Sequence, residues 1–365
     1  MQPLWRRAGT VVLGVLVLAG LACAPAPRPA APAAAGAAPR APAAAPAAAL
    51  EEFYRGKTLH LVVASTPGGG FDTFARILSR YMGKYIPGNP GIIVENMPGA
   101  GHVLAANLIY NTGRKDGTVM VNFSSAPILA NFFGDPGVQF DSTQYNWLGV
   151  RELDHVACAV SRASGFNRLE EATSERQLII GGLAPASNTD TVPNLLRNLL
   201  GLNVKVVSGY AGVTQIRLGV EQGELHGVCF SWSDMKSTWR DELASGEIKV
   251  IAQAGTRVHP DLPNVPQIQD LARTDEQRQL IEAGIILPLQ FAQAYAVPPG
   301  VPAERVQALR DAYQATMKDP EFVAEAEKAQ FVIDPVTGEQ VEAAINKLFA
   351  LSPEMRAKLQ AAFEP

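Results

Sequence analysis

The chain has 365 residues, 31 Lys and Arg against 35 Asp and Glu, and a formal net charge of −4. That balance excludes the basic face on which nucleic-acid binders depend. With 47% hydrophobic residues there is ample material for packed cores, which excludes global disorder, and the length suits one large or two ordinary domains.

Arg6 and Arg7 precede the apolar run Val11–Leu18, the basic and hydrophobic regions of an export signal. The run falls short of the ~20 residues that an isolated transmembrane span requires. Ala19-Gly20-Leu21-Ala22-Cys23 resembles the lipobox of a bacterial lipoprotein, which implies lipidation of Cys23. It departs from that pattern at Gly20, where a branched aliphatic residue is usual. Ordinary cleavage and an uncleaved anchor are the alternatives. Residues 24–50 are almost all alanine and proline, a composition that predicts an extended tether or else a disordered spacer of no particular length. At about 3.1 Å per residue it reaches on the order of 80 Å. Cys158 and Cys229 lie in strand-like runs, which favours two buried thiols, although an exported chain is permitted a disulfide.

From Glu51 apolar runs alternate with helix-periodic segments, the pattern of an α/β fold. After the apolar run Leu59–Ala64 comes a glycine turn, Ser65-Thr66-Pro67-Gly68-Gly69-Gly70-Phe71-Asp72. Phe74, Ile77, Leu78, Tyr81 and Met82 then recur at helical spacing, with Asp72 placed to cap that helix. A second turn, Val94-Glu95-Asn96-Met97-Pro98-Gly99-Ala100-Gly101, follows Ile92-Ile93 and leads into a helix over Val103–Tyr110. Thr118–Phe123 is a strand ending in the polar turn Ser124-Ser125-Ala126-Pro127. Trp147–Val160 suits a long crossing strand into a second lobe. There the pattern repeats: a strand at Gln177–Ile180, a loop over Gly181–Asp190 and a helix over Thr191–Leu200. A strand at Val204–Ser208 leads to the turn Gly209-Tyr210-Ala211-Gly212 and a helix ending at Gly223. Leu225–Phe230 and Lys249–Ala254 are further strands, and the chain is mostly helical from Pro302, with a capping box at Thr337-Gly338-Glu339-Gln340. The expected divisions are signal 1–23, tether 24–50, one lobe from 51–154 with 275–365, and a second lobe from 155–274.

A glycine turn that opens a helix presents unpaired N–H groups and a partial positive charge to a carboxylate or phosphate. Two such turns, with a counterpart in the second lobe, point to anion capture in a cleft rather than to bond-making chemistry. Gly68–Thr73 lacks the third glycine of a dinucleotide fingerprint and a Walker lysine, and no Gly-x-Ser-x-Gly elbow occurs. His60, His155, His226 and His259 show no metal-ligand spacing. No cofactor or metal is expected, and the chain reads as a monomeric binding protein rather than an enzyme.

The Gly-Gly-Gly-x-Asp turn at Gly68–Asp72, the run Val94-Glu95-Asn96-x-Pro98-Gly99-Ala100-Gly101 and Lys115-Asp116-Gly117-Thr118 resemble the solute receptors of tripartite tricarboxylate transporters, the Bug-type receptors. The resemblance extends from Tyr54 to Leu351 and includes His259-Pro260-Asp261-Leu262-Pro263 and Pro298-Pro299-Gly300-Val301-Pro302. It implies a type II periplasmic-binding-protein fold, with two lobes around a ligand cleft joined by two crossover strands. It also implies capture of a small carboxylate for a membrane permease. The ligand-binding residues it implies are Pro67, Gly69, Gly70 and Asp72 of the first turn, with Ser187, Asn188, Thr189, Tyr210 and Gly212 of the second lobe. Gly99, Ala100, Gly101, Ser124 and Ser125 join them as turn residues, His102 as a donor or else an exposed capping-region residue, and Phe71 and Trp232 as aromatic walls, with core packing the alternative for Trp232. The chain departs from the family pattern at His102-Val103-Leu104-Ala105, where Gly-Asn-x-Gly is common, and at Val192, where a histidine is common. A co-receptor presenting its ligand to a sensor kinase and an exported α/β enzyme are the alternative readings.

Overall fold

The computed structural model describes residues 44–183 and 187–365. The export signal, Cys23 and the alanine–proline stretch up to residue 43 lie outside the described residues, as do residues 184–186. In chain order the strands are β1 (Thr58–Val63), β2 (Gly91–Asn96), β3 (Val119–Ser124), β4 (Asn146–Val150), β5 (Val156–Ser161), β6 (Leu178–Gly181), β7 (Val204–Val207), β8 (Gly227–Ser231), β9 (Ile248–Ala254), β10 (Gln293–Val297) and β11 (Val336–Thr337). They form a six-stranded sheet, β11-β4-β10-β3-β1-β2, and a five-stranded sheet, β7-β6-β8-β5-β9. In each sheet a parallel trio, β2-β1-β3 and β7-β6-β8, is extended by antiparallel strands.

The helices are α1 (Ala44–Tyr54), α2 (Gly70–Tyr81), α3 (Val103–Thr112), α4 (Ser125–Phe133), α5 (Asn188–Leu200), α6 (Val213–Glu221), α7 (Trp232–Thr238), α8 (Arg240–Ser245), α9 (Asp275–Ile281), α10 (Leu287–Leu289), α11 (Ala303–Thr316), α12 (Pro320–Lys328), α13 (Gly338–Phe349) and α14 (Pro353–Phe363). No described helix is long and apolar enough to cross a membrane.

Strands buried on both faces read as continuous apolar runs, and all six residues of β5, Val-Ala-Cys-Ala-Val-Ser, are buried. Their alternate side chains serve different cores. Val156, Cys158 and Val160 face a cluster continuous with Phe123, Trp147 and Ile345 of the first sheet's side, whereas Ala157 and Ala159 face one built around Ile216, Trp239 and Phe230. A third cluster, with Leu61, Phe74, Tyr295 and Phe322, covers the other face of the first sheet.

The chain passes between the sheets at 151–155, again over 255–292, and a third time when α14 returns to lie on α5. There the Asn194 and Asn198 amides and the Arg197 guanidinium donate to the carbonyls of Phe363, Ala362 and Glu364. The final helix therefore sits against the second sheet's layer, although it follows first-sheet elements in sequence.

Several local expectations change. The domain's first helix starts at Ala44, inside the stretch expected to be tether, because alanine is the strongest helix former and Pro46 falls in the first turn. Trp147–Val160 is two strands, broken at 151–155 where Arg151, Glu152 and Asp154 mark the passage between sheets. The Ser124–Pro127 turn is the start of α4, with Ser124 at its N-cap. Helix α5 begins earlier than expected, at Asn188 behind Ser187. Gly69, not Asp72, holds the N-cap position of α2. Cys158 and Cys229, expected as separate thiols, are joined in a disulfide, because antiparallel pairing of β5 and β8 sets them directly opposite each other. The capping box at Thr337 and Gln340 is present.

Candidate functional site

The C-terminal ends of β3, β6 and β8 and the helices that follow them converge on one cavity of about 400 Å3, between the two sheets. Ligands of open α/β sheets bind at such strand ends, and this volume lies in the usual range for small-molecule sites.

The first-sheet wall is built from the two glycine turns. They are locked together by one network beneath them. The Asn96 amide donates to the Ser65 carbonyl at 3.1 Å and to Asp72 Oδ1 at 2.8 Å. Asp72 Oδ2 accepts from the Gly68 N–H at 2.8 Å and from Arg76 Nε at 2.9 Å, and Arg76 Nη2 donates to Asn96 Oδ1 at 2.9 Å. The Arg76 bond, with those from Gly68 and Asn96, holds the buried Asp72 carboxyl down to about 2. Asp72 is thus spent on holding the turns and does not line the cavity.

The second turn carries the unusual backbone. Gly99 (φ 147°), Ala100 (46°), Gly101 (59°) and His102 (80°) all have positive φ. L-residues rarely occupy that region, so the glycines on either side of Ala100 permit a bend that a run of larger residues would resist. The bend brings the His102 ring over the start of α4, where the Ser124 N–H donates to His102 Nδ1 at 3.1 Å. The Phe71 ring meets it edge-on, centroids 5.1 Å apart. Burial lowers the His102 pKa, favouring the neutral ring. With Nδ1 accepting, the proton of that neutral ring resides on Nε2, which leaves a donor for a ligand.

The second wall is the start of α5. Thr189 Oγ1 accepts from the Leu183 N–H at 3.0 Å, lies 2.6 Å from Ser187 Oγ, and donates to the buried Asp190 at 2.9 Å. Gly182 is required beside it, since a Cβ there would fall 2.5 Å from Asp190 Oδ2. The first turns of α4 and α5 both contribute to the lining, through Ser124, Ser125 and Ala126 and through Ser187, Asn188 and Thr189. Among the described residues no lysine or arginine lines the cavity, so N–H groups, hydroxyls and helix ends supply its positive potential.

Of the residues expected at the site, Phe71, Gly101, His102, Ser124, Ser125, Ser187, Asn188 and Thr189 line the cavity together. Pro67, Gly69, Gly70, Gly99 and Ala100 sit in the exposed turns but outside the lining. Gly212 is the N-cap of α6, whose first residue Val213 is the one that lines, and Tyr210 packs with the apolar cluster around Ile216 and Leu225. Trp232 is buried, donating to Asp261 at 3.2 Å on the wall of a neighbouring cleft that shares Asp154 with the cavity. Sequence reasoning missed Asp154, Ser231, Asp234 and Gln293. Asp154 and Gln293 stand where the chain enters or leaves a crossing, and that position was their only signal.

No family model matches the chain. It is similar to a Cupriavidus necator protein described as "UPF0065 protein in gbd 5'region", 24% identical over 285 residues, covering 76% of this chain and 79% of that one. Among solved structures, a TctC solute binding protein from Polaromonas superposes with a TM-score of 0.67 at 16% identity, over 84% of this chain and 99% of that one. An R. palustris protein solved with adipate superposes with a TM-score of 0.59 at 16% identity, over 84% and 98%. The two sheets and their crossings therefore share the fold of that TctC solute binding protein.

Proposed function

We propose that this chain is an extracytoplasmic solute receptor that captures a small carboxylate-bearing organic solute and delivers it to a membrane permease of the tripartite tricarboxylate type. It is a binding protein, not an enzyme. The observation that carries the reading is the cavity itself, where the first turns of α4 and α5, their hydroxyls and a neutral His102 converge with no lysine or arginine among the described lining residues. Such a lining suits a carboxylate, which N–H groups at helix starts stabilise without a fixed countercharge. The adipate bound to one structural neighbour supports the ligand class. Export and a tether anchored at Cys23 complete the reading: several acyl chains hold a protein at a membrane where one does not.

Thermal-shift titration of the purified chain against linear mono- and dicarboxylates tests it, because a ligand of the folded state alone raises the melting temperature by mass action. The expected result is a concentration-dependent rise with at least one acid. His102→Ala should weaken that ligand by about tenfold or more, the worth of a hydrogen bond to a charged group. No shift with any acid would remove the reading.

A further inference from the structure

The cavity lining is chemically two-sided. Opposed to the N–H-rich starts of α4 and α5 in character is the side formed by the first crossing, the end of β8 and α7, which contributes Asp154, Ser231 and Asp234. Asp154 Oδ1 is held by the Ser231 hydroxyl and by the His155 N–H, each at 2.8 Å. Among the described residues, Oδ2 receives no hydrogen bond and no lysine or arginine pairs with Asp154. The nearby cations are committed elsewhere. Arg151 pairs with Glu152 at 2.5 Å and lies over the Phe331 ring, and Lys236 pairs with Asp261 at 2.6 Å. No group of three His, Cys, Asp or Glu side chains among the described residues is arranged to hold a metal ion. A carboxylate set into a solute cavity with one oxygen unengaged and no countercharge is costly while ionised, and either a proton or a cation carried by the solute relieves that cost.

We infer that the natural ligand is an amino-carboxylate, whose carboxylate sits at the first turns of α4 and α5 and whose ammonium rests on Asp154. The inference rests on the receptor reading and narrows it: a dicarboxylate would put its second charge against Asp154, whereas an ammonium would meet it. Burial, with Glu152 and Asp234 nearby, lifts the Asp154 carboxyl to about 7. The other groups facing it do not change the sign. Glu152 is itself raised by burial and held by Arg151 and the Ser233 hydroxyl, Asp234 is raised by burial, and the His155 ring is 2.8 Å from the Arg257 carbonyl. An ammonium binds the ionised form, so its affinity should rise as pH climbs through about 7.

The test is calorimetric titration of the full chain with two length-matched pairs, 6-aminohexanoate against adipate and 4-aminobutanoate against succinate. Expected is at least a tenfold preference for the amino acid of one pair at pH 8, together with a several-fold weakening of its binding at pH 6. Asp154→Asn keeps the acceptor for Ser231 and should cost the amino acid tenfold while improving the diacid. A wild-type preference for the diacids, or a preference unchanged in Asp154→Asn, overturns this inference and leaves the receptor reading standing. Failure of all four probes overturns the inference, and only silence across the wider acid panel removes the receptor reading with it.

Discussion

Asp72 carries a disproportionate share of the site's geometry without touching the cavity. Its carboxylate collects the Gly68 N–H, the Arg76 guanidinium and the Asn96 amide, and so ties the first glycine turn to the second. Asp72→Ala strands those donors, and we expect it to cost about 2 kcal/mol, in the range for breaking a mostly buried pair with one exposed partner. Urea denaturation measures the loss, and an unchanged midpoint would show that the turns hold without it. The pH dependence has a definite sign. The folded value of about 2 lies below the ordinary 3.8, so the contribution is complete above about pH 4 and disappears as pH falls through 2. In the Asp72→Ala protein that part of the acid transition should be absent.

Among the elements, β5 and β8 form the part of the second sheet most dependent on covalent support. The Cys158–Cys229 bridge joins two fully buried positions 71 residues apart in sequence. Closing a loop of that size is worth roughly 4 kcal/mol by chain entropy. Replacing both cysteines by alanine should therefore lower the denaturation midpoint markedly while leaving the cavity residues in place. Reductant should act on the native protein only as fast as it unfolds, because neither sulfur is reachable from solvent. A double variant as stable as wild type would mean that packing of β5 alone suffices.

For the whole molecule, the question is how far the two sheets swing about their connections. The crossing at 151–155 is pinned from the side by the Asp334 backbone, which exchanges hydrogen bonds with Leu153 and Arg151, and by the Arg257–Asp334 ion pair. Helix α14 adds a third link through its carbonyls on α5, and one apolar cluster runs unbroken from Phe123 to Leu195. Hinged closure around ligand is still expected, because the cavity lies between the sheets and its walls come from both. The linkage predicts a small swing. Small-angle scattering should show a modest decrease in radius of gyration at saturating ligand, and deleting residues from Pro353 onward should enlarge that decrease if the truncated chain folds. Identical profiles with and without ligand would refute the hinge.

Periodicity and turn chemistry made much of this protein legible in advance. The helix after the first glycine turn, the strand ending at Ser124, the capping box at Thr337 and the α/β class all follow from local spacing, and local spacing is written along the chain. The eight cavity-lining residues legible in the sequence sit in turns or in the first turn of a helix, where a strand passes into a helix and sequence speaks most directly about exposed N–H groups. What only the tertiary structure decided is everything that depends on partners distant in sequence. Whether Asp72 meets a ligand or Arg76 and Asn96, whether Cys158 faces Cys229, and whether Trp232 lines one cleft or its neighbour are questions of register and lobe placement. Asp154 is the clearest case. As one acid among 35 it carried no mark in the sequence. Its meaning arises from a strand break that sets it beside Ser231 with one oxygen unengaged, a juxtaposition of residues 77 positions apart.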